Sequence, residues 1–159
     1  MLANINEFLD KFFDSFKKLG VNCDGFEIDH VAYQASSSED YESLKPRFEE
    51  VGEMVSESVV GGRRVGIYKL NRVLVYMNYS IPAVELIESK DGQECDSEWQ
   101  HVEFVIDESL REFADRYANV SMDLSAIDRD EFPKVQTKLE NGFGVKFHVK
   151  SVLEEIESK

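Results

Sequence analysis

Three residues carry the chain's whole complement of imidazole: His30, His101 and His148. All three fall in stretches that read as β-strands. Neutral imidazole binds Zn²⁺, Fe²⁺, Ni²⁺ and Mn²⁺, and a nearby carboxylate offsets part of the cation's charge. Glu85 interrupts the apolar run Ala83-Val84-Glu85-Leu86-Ile87. A carboxylate in such a run is costly unless paired or metal-bound. Two histidines and one carboxylate on a common face would hold a cation and leave positions open for substrate and oxygen. Period-two alternation puts His101 with Glu103 on one face, and Lys146 with His148 on one face. A single histidine in a strand is more often a hydrogen-bonded structural residue than a ligand. The joint placement of all three argues for a shared pocket.

The elements that must position these residues are legible in outline. Ile5, Phe8, Leu9, Phe12, Phe13, Phe16 and Leu19 recur at helical steps, and Gly20 supplies a stop. This aromatic stripe predicts an N-terminal helix over residues 1–20 that packs on the domain's own core. Phe26 to Gln34 reads as a strand, with Ile28, His30 and Ala32 on one face and Val31 and Tyr33 on the other. Tyr41 to Val51 reads as a helix that Gly52 ends. Strands follow at Glu53–Val60 and at Arg64–Leu70, joined by a Gly61-Gly62 turn. Asn71-Arg72 reads as a second turn, before Val73–Met77 and a last strand at Ala83–Glu88. A polar linker then leads to Trp99–Ile106, a helix around Leu110–Tyr117, short strands at Phe132–Val135 and Thr137–Glu140, and Val145–Val149. Ser151-Val152-Leu153-Glu154 is a capping box opening a C-terminal helix.

The order of elements repeats. Asp29-His30-Val31-Ala32-Tyr33 parallels Gln100-His101-Val102-Glu103-Phe104. Each half opens on His-Val-x-aromatic, and each closes on an apolar strand with one polar interruption, Glu85 in the first and His148 in the second. The prediction is an α+β domain over 21–159 built from two βαβββ modules, about 24–90 and 97–159, burying their open sheet faces together.

The 159 residues carry a net charge of −14. That charge repels phosphate backbones and anionic headgroups, so nucleic acid and membrane are excluded as expected partners. The N-terminal stretch has no basic region and apolar run of a secretory signal. Cys23 and Cys95 have no metal-finger spacing. Free thiols in a reducing cytoplasm are the expectation.

The stretches Ile28-Asp29-His30-Val31, Gly52-Glu53, Gly62-Arg63, Tyr68-Lys69-Leu70, Val84-Glu85-Leu86, Glu98-Trp99-Gln100-His101-Val102-Glu103 and Val145-Lys146-Phe147-His148 together resemble the YecM-like family. That family is a branch of the vicinal oxygen chelate superfamily, which includes glyoxalase I, extradiol dioxygenases and bleomycin- and fosfomycin-resistance proteins. The resemblance implies two βαβββ modules closing an eight-stranded, barrel-like cup, with a divalent metal held by His30, Glu85, His101 and His148. His148 departs from the superfamily pattern, where glutamate is usual. In glyoxalase I that glutamate is also the catalytic base, so the departure points away from glyoxalase activity.

These readings together imply a metal-dependent enzyme of dioxygenase, lyase or isomerase type acting on a small, anionic, oxygenated substrate. The metal would be Zn, Fe, Ni or Mn. Glu103 is the candidate base, and Arg63, Lys69 and Lys146 are the candidate anchors for the substrate's charge. The alternative is a non-catalytic module of the same fold that binds or sequesters a small molecule. Both modules lie in one chain, so a monomer completes the pocket, and a homodimer is equally compatible.

Overall fold

The computed structural model describes residues 2–159, with the side chain of Ala3 left aside. Helix α1 (Ile5–Phe16) leads through a 3-10 turn to Gly20, which adopts φ +82°. The first half is β1 (Glu27–Gln34), α2 (Ser38–Glu49), β2 (Gly52–Val60), β3 (Arg63–Tyr76) and β4 (Tyr79–Ile87). The second half is β5 (Glu98–Val105), α3 (Leu110–Arg116), β6 (Val135–Lys138) and β7 (Gly144–His148), and α4 (Val152–Glu157) closes the chain. One sheet joins all seven strands in the order β2-β3-β4-β1-β5-β7-β6. β1 runs parallel to β4, and β5 parallel to β7, while β1 and β5 meet antiparallel at the seam between the halves. An isolated Asp123–Gln136 bridge beside β6 stands where an eighth strand would complete the repeat.

Helices α1, α2 and α3 cover one face of the sheet, and the core lies beneath them. Phe12 and Phe16 of α1 meet Phe104 at ring-centroid distances of 6.3 and 5.3 Å. Phe48 of α2 meets Tyr68 at 5.3 Å, and Phe113 of α3 meets Phe147 at 4.6 Å. Register settles which residues share this face. Val31 pairs with Val84 and with Val102, and Phe104 pairs with Phe147, all of them fully buried. The intervening residues must therefore point to the opposite face. These are His30, Ala32 and Gln34 on β1, Glu85 on β4, His101 and Glu103 on β5, and Lys146 and His148 on β7.

Three local expectations are corrected. β3 does not turn at Asn71-Arg72. It continues to Tyr76, and a register shift between Lys69 and Leu74 absorbs the polar pair while β4 stays hydrogen-bonded on both sides of it. Phe132–Val135 is not a strand: Phe132 adopts φ +49° and Pro133 has no N–H to give, so β6 starts only at Val135. Helix α2 begins at Ser38 rather than Tyr41, because the Ser37 side chain accepts the Asp40 N–H and caps it there.

Glu88 fastens the first half. It accepts from Ser38 Oγ at 2.6 Å, from the Arg64 backbone N–H at 2.9 Å, and from the Arg64 guanidinium at 2.9 and 3.2 Å. The Arg64 side chain and then Ser38 hold its carboxyl down at about 2. A carboxyl held this low stabilises the fold fully above its ordinary value of 4.5, and loses that contribution as pH falls toward about 2. Glu88→Gln is therefore expected to lower stability by about 1–2 kcal/mol at neutral pH. The gap to the wild type should close across that acid window in urea unfolding measured at stepped pH. A gap that stays constant down to the lower limit would show that the ion pair contributes nothing.

Candidate metal centre

Two β-bulges set the site. Between Ile28 and His30 the β1–β5 register advances by two residues on β1 and one on β5, so Asp29 is the extra residue. Between Ala32 and Tyr33 it advances by two on β5, so Gln100 is the extra residue. A bulge reverses the alternation beyond it. Ile28 thus pairs with Phe104 on the core side while His30 pairs with Glu103 on the open side. The simple alternation expected for Ile28 and His30 does not hold, for this reason.

Each bulged residue grips the histidine that follows it. Asp29 Oδ2 accepts from His30 Nδ1 at 2.7 Å, and Gln100 Oε1 sits 3.1 Å from His101 Nδ1. Asp29 is itself fixed by the Val152 backbone N–H, at 3.1 and 3.2 Å to its two oxygens. The third ring is held in the same sense, with His148 Nδ1 donating to Lys150 O at 2.7 Å. Every Nδ1 is engaged by an oxygen, so every Nε2 is presented to the pocket. A neighbouring oxygen that fixes one ring nitrogen and leaves the other free is the usual support of a metal-binding imidazole.

The three Nε2 atoms meet two carboxylates. His30 Nε2 lies 3.5 Å from Glu85 and 3.4 Å from Glu103, and His101 Nε2 lies 3.6 Å from Glu85 and 3.2 Å from Glu103. His148 Nε2 reaches the other oxygen of Glu103 at 3.0 Å and Asp29 Oδ2 at 3.5 Å. Despite these distances, His30 Nε2 and His148 Nε2 are not aligned for hydrogen bonding and are buried without a partner. Two overlapping groups of metal-ligating atoms result: His30, Glu85, His101 and Glu103, and Asp29, His30, Glu103 and His148. In the first, the closest N···O separations fall between 3.2 and 3.6 Å, with Glu85 offering one oxygen to each histidine. Donors about 2.1 Å from one tetrahedral cation stand about 3.4 Å apart, so this donor set has the size and chemistry to hold a divalent ion. Gly144 leaves space for His101, since a Cβ there would lie 3.0 Å from the His101 Cβ.

The electrostatics describe a pocket built around positive charge. Burial alone would lower the His30 pKa, but Glu103, Glu85 and Asp29 outweigh it and hold it well above the ordinary value. His148 is likewise raised against burial, by Glu103 and Asp29. His101 is lowered to about 4, by burial and then by the Lys146 ammonium. Burial would raise both acids, yet His30 and its neighbours hold Glu85 down at about 2 and Glu103 well below the carboxylate range. The carboxylates thus favour a proton on His30 and, less strongly, on His148, and a bound cation would displace such protons.

The residues singled out in the sequence are thus partly brought together. His30, Glu85 and His101 converge, and Glu103 takes the fourth corner of their group. His148 stands on the far side of Glu103, in the second group, with its ring centroid 6.4 Å from that of His30. The register explains why. Ala32 pairs with Glu85 in the first half, and Glu103 pairs with Lys146 in the second. Glu85 is therefore matched by Lys146, and His148 is matched by Ile87, two residues along. The repeat equivalence of Glu85 and His148 is corrected accordingly. Lys146 pairs with Glu103 at 3.3 Å. Arg63 donates to Gln34 Oε1 at 3.3 Å, four residues along β1 from His30, and Lys69 is exposed; neither forms an ion pair with the group. Asp29, Gln100 and Lys150 were not anticipated as supports. The paired Asp-His and Gln-His dipeptides of the repeat were the available signal for the first two.

A helix-backed sheet of two βαβββ-type halves, with a histidine–carboxylate group across their seam, defines the vicinal oxygen chelate fold class. Methylmalonyl-CoA epimerase solved with methylmalonyl-CoA and NH4+ superposes with TM-score 0.55 at 16% identity, covering 81% of this chain and 97% of that one. A structural-genomics protein, EC4020, superposes with TM-score 0.79 at 21% identity, covering 99% of this chain and 90% of that one. The family model described as YecM protein matches residues 1–159, and the chain belongs to that family. Protein YecM of Escherichia coli (strain K12) is 23% identical over 104 residues, which is 65% of this chain and 55% of that protein. An uncharacterized protein of Haemophilus influenzae is 24% identical over 104 residues, 63% and 54% of the respective chains. The matched segment spans about half the length of these curated relatives. No described helix is long and apolar enough to cross a membrane.

Proposed function

We propose that this protein is a metal-dependent enzyme acting on a small, anionic, oxygenated substrate, with a divalent ion held by His30, Glu85, His101 and Glu103. One observation carries the reading. The Nδ1 atoms of all three histidines are held by oxygens while their Nε2 atoms converge, two of them without a partner, on carboxylates spaced as ligands of one cation. Two imidazoles and two carboxylates suit Zn, Fe, Ni or Mn. The ion would supply Lewis acidity toward vicinal oxygens of the substrate. Asp29 and Gln100 keep the ligating rings in place, so little reorganisation accompanies binding.

Glu103 is assigned here as a ligand rather than as the base first expected of it. Its carboxyl is held well below the ordinary range by His30 and Lys146 against the effect of burial, which makes it a poor proton acceptor and a good anionic donor. His148 steadies the outer oxygen of Glu103.

Elemental analysis of protein purified without an affinity tag is expected to find near-stoichiometric Zn, Fe, Ni or Mn. The His30→Ala, His101→Ala double variant is expected to carry none. Screening of dioxygenase, lyase and isomerase substrates would then follow the metal found. Wild-type protein that holds no metal, and takes up none on titration, would sink the metalloenzyme reading.

A further inference from the structure

The open face carries a second cluster, of positive charge, in a chain whose net charge is −14. Lys146 lies on β7 with its ammonium on Glu103 at 3.3 Å. β6 pairs Gln136 with Lys146, and Lys134 stands one residue before β6 begins, where its side chain meets that of Lys146. The Lys134 backbone N–H is tied to Ala126 O at 3.2 Å, which fixes where its side chain starts. Lys134 is half-buried, and the charges that act on it are Lys146, then Glu103 and Glu85, then Arg129. Among the described residues Lys134 forms no ion pair within 4.0 Å. A half-buried ammonium beside other cations and without its own carboxylate is an unfavourable arrangement that an anion would relieve.

Charge balance sharpens the point. A divalent ion in the proposed group is offset by the two carboxylates Glu85 and Glu103. The ammonium of Lys146 then loses most of its counter-charge, and that of Lys134 loses the pull of the same two carboxylates. Lys146 stands at the place that matches Glu85 in the other half, so the excess positive charge sits at the edge of the ligand group. Burial and then Lys146 pull the Lys134 pKa below the ordinary lysine value, in keeping with an ammonium waiting for a counter-ion.

We propose that Lys134, together with Lys146, forms the oxyanion seat of the cup, binding a carboxylate or phosphoryl group of the ligand beside the metal. The inference deepens the metalloenzyme reading and names its substrate class: a small acid whose charged group lies next to its metal-chelating oxygens. Arg63 and Lys69 are not part of this seat.

The test titrates wild-type protein, Lys134→Met, Lys134→Gln and Lys134→Arg with malonate and, separately, with methylphosphonate. Binding is followed by NMR chemical shifts, and bound metal and thermal midpoint are measured on each sample. At least one probe is expected to bind the wild type. Its affinity should fall by about tenfold or more in Lys134→Met and Lys134→Gln, and Lys134→Arg should recover most of it. Metal content and midpoint should stay unchanged, and the probe that binds distinguishes a carboxylate from a phosphoryl ligand. Equal binding by wild type and Lys134→Met, or no binding of either probe, would overturn the proposal. So would a loss of metal that tracks the loss of probe. The same titration on metal-free protein separates the two readings, because the lysine seat stands if the variants weaken probe binding there even when no metal is ever taken up.

Discussion

Glu103→Gln should weaken divalent-metal binding by well over about 100-fold, whereas His148→Ala should cost only about tenfold. The contrast follows from geometry. Glu103 Oε1 lies 3.4 Å from His30 Nε2 and 3.2 Å from His101 Nε2, on the side where Glu85 completes the group. His148 touches only the far oxygen of Glu103 and Asp29. Removing a ligand costs coordination outright, while removing a residue behind a ligand costs orientation. Competition with a chromophoric chelator reads both variants on one scale, and circular dichroism confirms that each is folded. The reverse order, with His148→Ala losing the metal and Glu103→Gln keeping it, would restore His148 to the ligand set and remove Glu103 from it.

Phe104→Ala is expected to destabilise the protein by about 4 kcal/mol, within the range for truncating a buried phenylalanine. Phe104 is fully buried on β5. Its ring packs on Phe12, Phe16 and Phe147 at 6.3, 5.3 and 5.7 Å, so it joins the N-terminal helix to the central strands. Little else can fill the space, because the neighbouring rings are anchored on separate elements. Urea unfolding followed by fluorescence measures the loss. A change below about 1 kcal/mol would mean that α1 does not pack as described.

The architecture was largely legible because it rests on periodicity. The helical stripe from Ile5 to Phe16 and the alternating strands around His30 and His101 are local signals that tertiary contacts did not overrule. The run through Asn71-Arg72 was not legible, since a polar pair resembles a turn until its partner strand is known. The start of β6 was not legible, because Phe132 and Pro133 break the backbone just ahead of it, and the place of an eighth strand is marked by the single bridge at Asp123. At the site, residue type located His30, Glu85 and His101, but register decided the rest. Whether Glu85 answers to His148 or to Lys146 depends on a two-residue offset between β5 and β7 that no spacing within the sequence discloses. Lys134 escaped notice for the same reason: it gains meaning only once β6 is laid beside β7.

The two bulges let the site carry extra residues without changing which face its histidines occupy. Removing the single residue Asp29 would let β1 pair with β5 without interruption, and plain alternation would still leave Ile28 beside Phe104 and His30 beside Glu103. What the deletion takes away is the carboxylate that grips His30 Nδ1. Gln100 stands in the same relation to His101. A chain could thus keep all three histidines and both glutamates on one face and still leave two of the rings free to turn. In this chain each bulge is an inserted clamp, and shortening the strand by one residue would loosen the site while leaving its layout intact.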